Sequence, residues 1–155
     1  MKKFILITVA IFMASYAFTQ SNKDEVALMQ AAFGMDKQAL VAEFVKPSPA
    51  EKDAFWKLYD EYELKRKELG KQRIELLEQY ADKYLTMSGV DADAWTKKVI
   101  KLQEQNDKLI KTYYSKIESK SDGIVATQFY QIENFILIAI RGEVLKNIPF
   151  LPNKN

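Results

Sequence analysis

The side chains that could do chemistry in this chain are few in kind. There is no His and no Cys. That removes the thiol nucleophile, the commonest general base and the best zinc ligands. Carboxylates, Lys, Tyr, Ser and Thr remain. Two groups of carboxylates lie close in sequence: Asp60, Glu61 and Glu63, and Asp91 with Asp93. Glycoside hydrolysis or metal binding would need such groups to converge in one pocket. The first group reads more simply as a solvated helix face. The second reads as a helix start, where acids favour the dipole. No phosphate-cradling Gly-rich loop, Ser/His/Asp set or zinc spacing is present. No catalytic residue, cofactor or metal site is therefore expected, and the chain reads as a non-enzyme.

Three charged residues stand where apolar ones belong. Arg66 and Arg73, seven apart, occupy the apolar seam that runs from Tyr59 to Tyr80. Glu133 interrupts the apolar stretch "IVATQFYQIENFILIAI" at 124–140. Either arginine can pack its stem and carry its guanidinium to water. The sharper expectation is a buried pair between Glu133 and Arg66 or Arg73, acting as a structural register pin.

Aromatic residues are abundant: eight Tyr, nine Phe and two Trp. Trp56 follows Phe55, and Tyr114 follows Tyr113, so neighbours point about 100° apart on a helix and cannot share one core line. Some aromatic surface should then meet another helix, a second subunit or a client. Trp56, Tyr59, Tyr62, Trp95, Tyr113 and Tyr114 are the candidate partner-binding set, since amphipathic rings suit interfaces.

The elements that must carry these residues are helices. Periodic apolar positions and caps predict them over about 23–45, 49–85, 92–118 and 123–146. In the first, Val26, Met29, Phe33, Leu40 and Phe44 share a face, Asn22 and Glu25 have capping-box spacing, and Gly34 weakens the middle. "PSPAE" opens the second, with Ser48 as cap, Pro49 at the first helical position and Glu51 reaching back to the Ser48 amide. "TMSGVD" at 86–91 is a turn, with Gly89 left-handed and Asp91 capping the third helix. Asn106 occupies a seam position of that helix, where it can fix register or sit solvated at an edge. Ser121 or Asp122 caps the fourth, and Asn147 and Pro149 close it. Ile148, Phe150 and Leu151 are expected to tuck against the bundle. The fold class is all-α: one elongated, antiparallel four-helix bundle or hairpin. Its fourth helix has apolar lines wide enough for burial on more than one side. That helix is not expected to span a membrane, because its uninterrupted apolar core, "FILIAI", is six residues long between Asn134 and Arg141.

The start of the chain reads as a secretory leader. "MKK" is basic, "FILITVAIFMA" is apolar and "SYAFTQS" supplies small residues at cleavage spacing. A cut after Ala17 fits, and one before Gln20 fits slightly better, giving residues 1–19 as signal peptide and 20–155 as a single helical domain. The run is shorter than the roughly 20 residues a span requires. Removing Lys2 and Lys3 from 23 basic residues leaves 21, against 21 acidic. A chain so balanced offers no overall basic field for nucleic acid or anionic lipid. Export without cysteine leaves packing as the source of stability. The expected location is periplasmic or secreted, with no transmembrane anchor after leader cleavage.

Three segments resemble a known group: "PSPAEKDAFWKLYDEYELKRKEL", "RIELLEQYADKYLTMSGVDADAW" and "TQFYQIENFILIAIRGEVLKNIPFL". With their FWxxYxEY, YAxxY and FxQIEN patterns, they look like a group of small exported bacterial helical proteins, largely of unknown function. The likeness covers about residues 38–151 and is most distinctive from Phe129 to Asn134. More distantly the chain is similar to Spy/CpxP-type periplasmic proteins. Their LTxxQ hallmark is a hydrophobic staple with a capping box. Here "PSPAE" keeps the box without the leading Leu, and "LTMSG" keeps Leu-Thr with Gly in place of Gln. The resemblance implies a helical, ATP-independent chaperone or envelope-stress adaptor that binds protein clients or a homo-oligomer partner. The competing expectation is a structural or oligomeric helical module of the envelope that binds no client.

Overall fold

The computed structural model describes residues 36–146 and 148–153. The expected leader, its cleavage point, the Asn22–Glu25 cap and the first-helix residues 23–35 lie outside the described residues. Four helices and no strand occur among those described: α1 (Lys37–Phe44), α2 (Lys52–Lys83), α3 (Gly89–Glu118) and α4 (Gly123–Lys146). The expected all-α bundle is the observed architecture.

Local chemistry sets the helix ends. Asp36 caps α1, its side chain accepting from the Ala39 amide at 3.0 Å. At "PSPAE" the Ser48 amide donates to Glu51 Oε2 at 2.9 Å, as expected. Regular helix starts only at Lys52, because residues 49–51 form a turn. Glu51 has a second task. Its other oxygen accepts from the Asp122 amide at 2.7 Å, which ties the start of α2 to the start of α4. The Ser48 hydroxyl and amide, with that Asp122 amide, hold the Glu51 carboxyl below its ordinary pKa.

The turn into α3 departs from expectation. Gly89 is already the first helical residue, and Ser88 is the cap. Asp91 completes a capping box: its amide donates to Ser88 Oγ at 3.1 Å, while the Ser88 amide donates back to its carboxylate at 3.3 Å. A cap three residues earlier lets Gly89, Val90 and Asp91 join the helix. Ser88→Ala is expected to cost about 1 kcal/mol in urea unfolding. Ser88→Thr, which keeps the acceptor, should recover most of it; an unchanged midpoint in the alanine variant would mean the cap contributes nothing.

α2 and α3 form an antiparallel hairpin. Near its tip Tyr80 lies against Trp95, ring centroids 4.6 Å apart, and Trp95 Nε1 donates to the Leu76 carbonyl at 2.8 Å. Towards the other end Tyr62 meets Tyr113 edge to face at 5.6 Å. α4 returns antiparallel to α3 and therefore parallel to α2. α1 lies against α4, where the Lys46 amide donates to Gln128 Oε1 at 3.0 Å.

The core concentrates at the end where α1, the start of α2, the close of α3 and the start of α4 converge. Phe55, Tyr59, Tyr62, Ile110, Tyr113, Ile117, Val125, Phe129, Ile132 and Ile136 are its main side chains, with Leu40, Val41 and Val45 from the α1 region. Phe44, expected on the buried face of the first helix, is exposed, and Val41 takes the inner position. The tail also differs from expectation. Phe150 and Leu151 are exposed, and the segment is held by Tyr80 OH donating to the Pro149 carbonyl at 2.7 Å and by the Ile148 amide donating to the Leu145 carbonyl at 3.4 Å. Asn106 is buried, but its amide donates to Leu102 of its own helix at 2.8 Å. That bond uses the amide locally instead of pinning register across helices.

Candidate functional site

Five ionisable side chains from three helices meet inside the core end of the bundle. Glu133 of α4 is 1% exposed. Its Oε2 accepts from Lys37 Nζ of α1 at 2.8 Å and from Tyr62 OH of α2 at 2.6 Å. Lys37 also bonds Glu63 of α2. Glu63 in turn takes a two-pronged contact from Arg66, Nε to Oε1 at 2.7 Å and Nη2 to Oε2 at 3.1 Å. Two cations balance two carboxylates, so the buried cluster is neutral on formal count. Lys37 also lies 5.2 Å from the centroid of the Tyr62 ring and 5.5 Å from that of Tyr59, within cation–π range.

This corrects the expected ion pair. Glu133 is hydrogen-bonded to Lys37, a cation outside the expected pair. Arg66 joins the same cluster through Glu63. Arg73 does not reach it, and its buried Nε has no hydrogen-bond partner. The reason is axial position: Tyr62 lies opposite Glu133, so Arg73, three turns further along α2, is too far up the helix. Lys37 was missed for a readable reason. It falls in the seam between Phe33 and Leu40, where a long cation on a short helix can reach inward. Glu63, expected on a solvated face, is drawn in with it; Asp60 stays exposed, and Glu61 faces Lys116 at 3.9 Å.

The electrostatics follow from the geometry. Burial would raise the Glu63 pKa, but the Lys37 and Arg66 charges and their hydrogen bonds overcome it and lower the value from 4.5 to about 2. Burial and the Glu133 charge push the Tyr62 and Tyr59 hydroxyls well above the ordinary phenol range. Both stay protonated, so Tyr62 is a fixed donor to Glu133 and not an acid–base group. The Tyr59 hydroxyl, the Tyr113 hydroxyl and Glu133 Oε1 are buried without a hydrogen bond of ordinary geometry. Among the described residues no group of three or more Asp, Glu, His or Cys could hold a metal ion.

The expected partner-binding aromatics divide. Tyr59, Tyr62 and Tyr113 are core residues, at most 2% exposed, and cannot meet a partner while the bundle is closed. Tyr62 and Tyr59 instead meet Phe129 edge to face, with centroids 5.2 and 6.4 Å away, and Tyr113 packs on Tyr62. Trp56, Trp95 and Tyr114 are half-buried; Trp95 is held in the hairpin, and Tyr114 lies edge to face with Tyr130 at 6.0 Å. Sequence adjacency cannot separate inner from outer rings, because aromatic lines on α2 and α3 each have two neighbouring helices to pack against.

The exposed apolar surface lies elsewhere. On α4, Ile124, Ile138 and Leu145 are each more than three-fifths exposed. They project from the side opposite Val125, Phe129, Ile132 and Ile136, which enter the core. α4 is therefore apolar on two sides: α1, α2 and α3 pack against the inner one, and the outer stripe stays open. By length and composition alone it could cross a membrane, with mean hydropathy 1.3 in its most apolar window; only a third of that window is buried. It also carries Glu133, bonded inward to Lys37 and Tyr62. The chain matches no known family model, no curated protein and no solved structure.

Proposed function

We propose that this protein is an exported, non-catalytic helical binding protein of the cell envelope that shields unfolded protein clients, in the manner of a Spy/CpxP-type chaperone or stress adaptor. The observation that carries the reading is the outward stripe Ile124, Ile138 and Leu145 on α4. Large apolar side chains exposed along one face of a helix mark an interaction face. The buried charged cluster supports the non-catalytic part. Its carboxylates are neutralised by Lys37 and Arg66, and its tyrosines are held protonated, so no group stands ready for acid–base work. The leader-like start of the sequence supports export.

The test is suppression of aggregation of a reduced, unfolding client at near-stoichiometric ratio. Ile124→Lys with Ile138→Lys should abolish at least most of the suppression while leaving the helical circular dichroism intact. No suppression by the unaltered protein would sink the proposal, as would full suppression by the double variant.

A second reading has its own observation. Ile124, Ile138 and Leu145 fall on a seven-residue spacing with Gln131, the interval by which helices pair along a seam. It makes the stripe a contact between two copies in a structural module. It expects a dimer by light scattering across a hundredfold dilution, and a monomer throughout would remove it.

A further inference from the structure

The buried cluster leaves one pair of cations unexplained. Arg73 of α2 and Arg141 of α4 are both half-buried. Arg73 Nε, Arg141 Nε and Arg141 Nη2 are sealed from solvent without a hydrogen-bond partner. The two lie at the same height along the bundle. α2 and α4 run parallel, tied below by Tyr62 to Glu133 and above by Tyr80 to Pro149. Arg73 lies between the two tyrosines and Arg141 between the two partners. Burial and the nearby Arg141 charge lower the Arg73 pKa, and no described carboxylate counters them. Two guanidinium groups near enough for one charge to act on the other, with buried nitrogens lacking partners, are a costly arrangement unless something carries negative charge between them.

We propose that Arg73 and Arg141 form a binding site for a phosphate-class oxyanion. The chemistry favours a tetrahedral dianion over a carboxylate. Each guanidinium is a planar fork that donates two parallel bonds, so two forks need more acceptor atoms than one carboxylate has. A phosphate supplies enough oxygens, and its charge offsets both cations. Long side chains let the two heads swing toward a common ligand while their stems stay packed. The phosphate has two possible sources. One is a free phosphate or phosphate monoester. The other is an anionic phospholipid headgroup, because Ile138 and Leu145 on either side of Arg141 belong to the exposed stripe. The site is independent of client shielding, which rests on the stripe and is read by aggregation.

The experiment is titration calorimetry of the full chain with inorganic phosphate, against chloride at matched ionic strength, and co-sedimentation with vesicles of phosphatidylglycerol or of phosphatidylcholine. The proposal expects saturable heat with phosphate, or binding to phosphatidylglycerol vesicles alone. The first outcome assigns a free oxyanion and the second a headgroup. In either case Arg73→Gln and Arg141→Gln should each weaken binding at least tenfold. Both variants should fold, since each removes a like-charge contact, and circular dichroism checks that. Arg73→Lys with Arg141→Lys keeps the charge without the forks and should bind nearly as weakly. Heat equal to the chloride control with no vesicle preference overturns the site. So does unchanged affinity in the Gln variants, or full affinity in the double Lys variant, which would reduce the effect to net charge.

Discussion

Replacing Lys37 by Met is expected to cost about 3–5 kcal/mol of folding free energy. The argument starts from Glu133, 1% exposed in the core end of α4. Its Oε2 accepts from Lys37 at 2.8 Å and Tyr62 at 2.6 Å, and its Oε1 has no hydrogen bond of ordinary geometry. Without Lys37 that counter-charge is gone from beside a buried anion. Met fills nearly the same volume, so a cavity is not the cause of the loss. Glu63 suffers less, because it keeps Arg66. The distinguishing variant pairs Lys37→Met with Glu133→Met. It removes both charges, so it should recover most of the lost stability, as neutral replacements of buried pairs often do. Urea unfolding of the two variants and the parent measures this. A single variant within about 1 kcal/mol of the parent, or a double variant worse than the single, would show that Lys37 does not neutralise Glu133.

Acid should dismantle the same cluster from its other carboxylate. The folded pKa of Glu63, about 2, lies below its ordinary 4.5. A depressed carboxylate stabilises the fold above its unfolded pKa and loses that contribution as pH falls through the folded value. The shift corresponds to about 3 kcal/mol, present at neutral pH and lost between about pH 4.5 and pH 2. Glu63→Gln isolates it from the other acids. The variant should be less stable than the parent at pH 7, and the two unfolding curves should converge as pH approaches 2. Parallel pH profiles for parent and variant would refute the assignment.

How much of this was legible depends on the range of the interaction. Helix existence rests on local periodicity, so α2, α3 and α4 were readable to within a few residues. Capping is local too, and Glu51 reaching back to Ser48 was foreseen. Its bond to the Asp122 amide was not, since that partner comes from a distant helix start. The Gly89 turn was misplaced because Ser88 and Asp91 both suit a cap, and only the closed capping box chooses between them.

Side-chain partnership is a tertiary matter, and there the sequence alone ran out. It marked Glu133 as a carboxylate in need of a cation and Arg66 and Arg73 as seam cations in need of an anion. It could not match them, because a match depends on the axial offset of α2 against α4 and on how α1 lies across both. With Tyr62 opposite Glu133, Lys37 reaches that carboxylate from α1, Arg66 bonds Glu63, and Arg73 is left under the influence of the Arg141 charge. The same offset placed Tyr59, Tyr62 and Tyr113 in the core with Phe129 and turned Ile124, Ile138 and Leu145 outward. Composition and period thus determined an all-α bundle with no thiol or imidazole chemistry. Which charges neutralise one another, and which apolar face stays open, was decided only when helices far apart in sequence came into register.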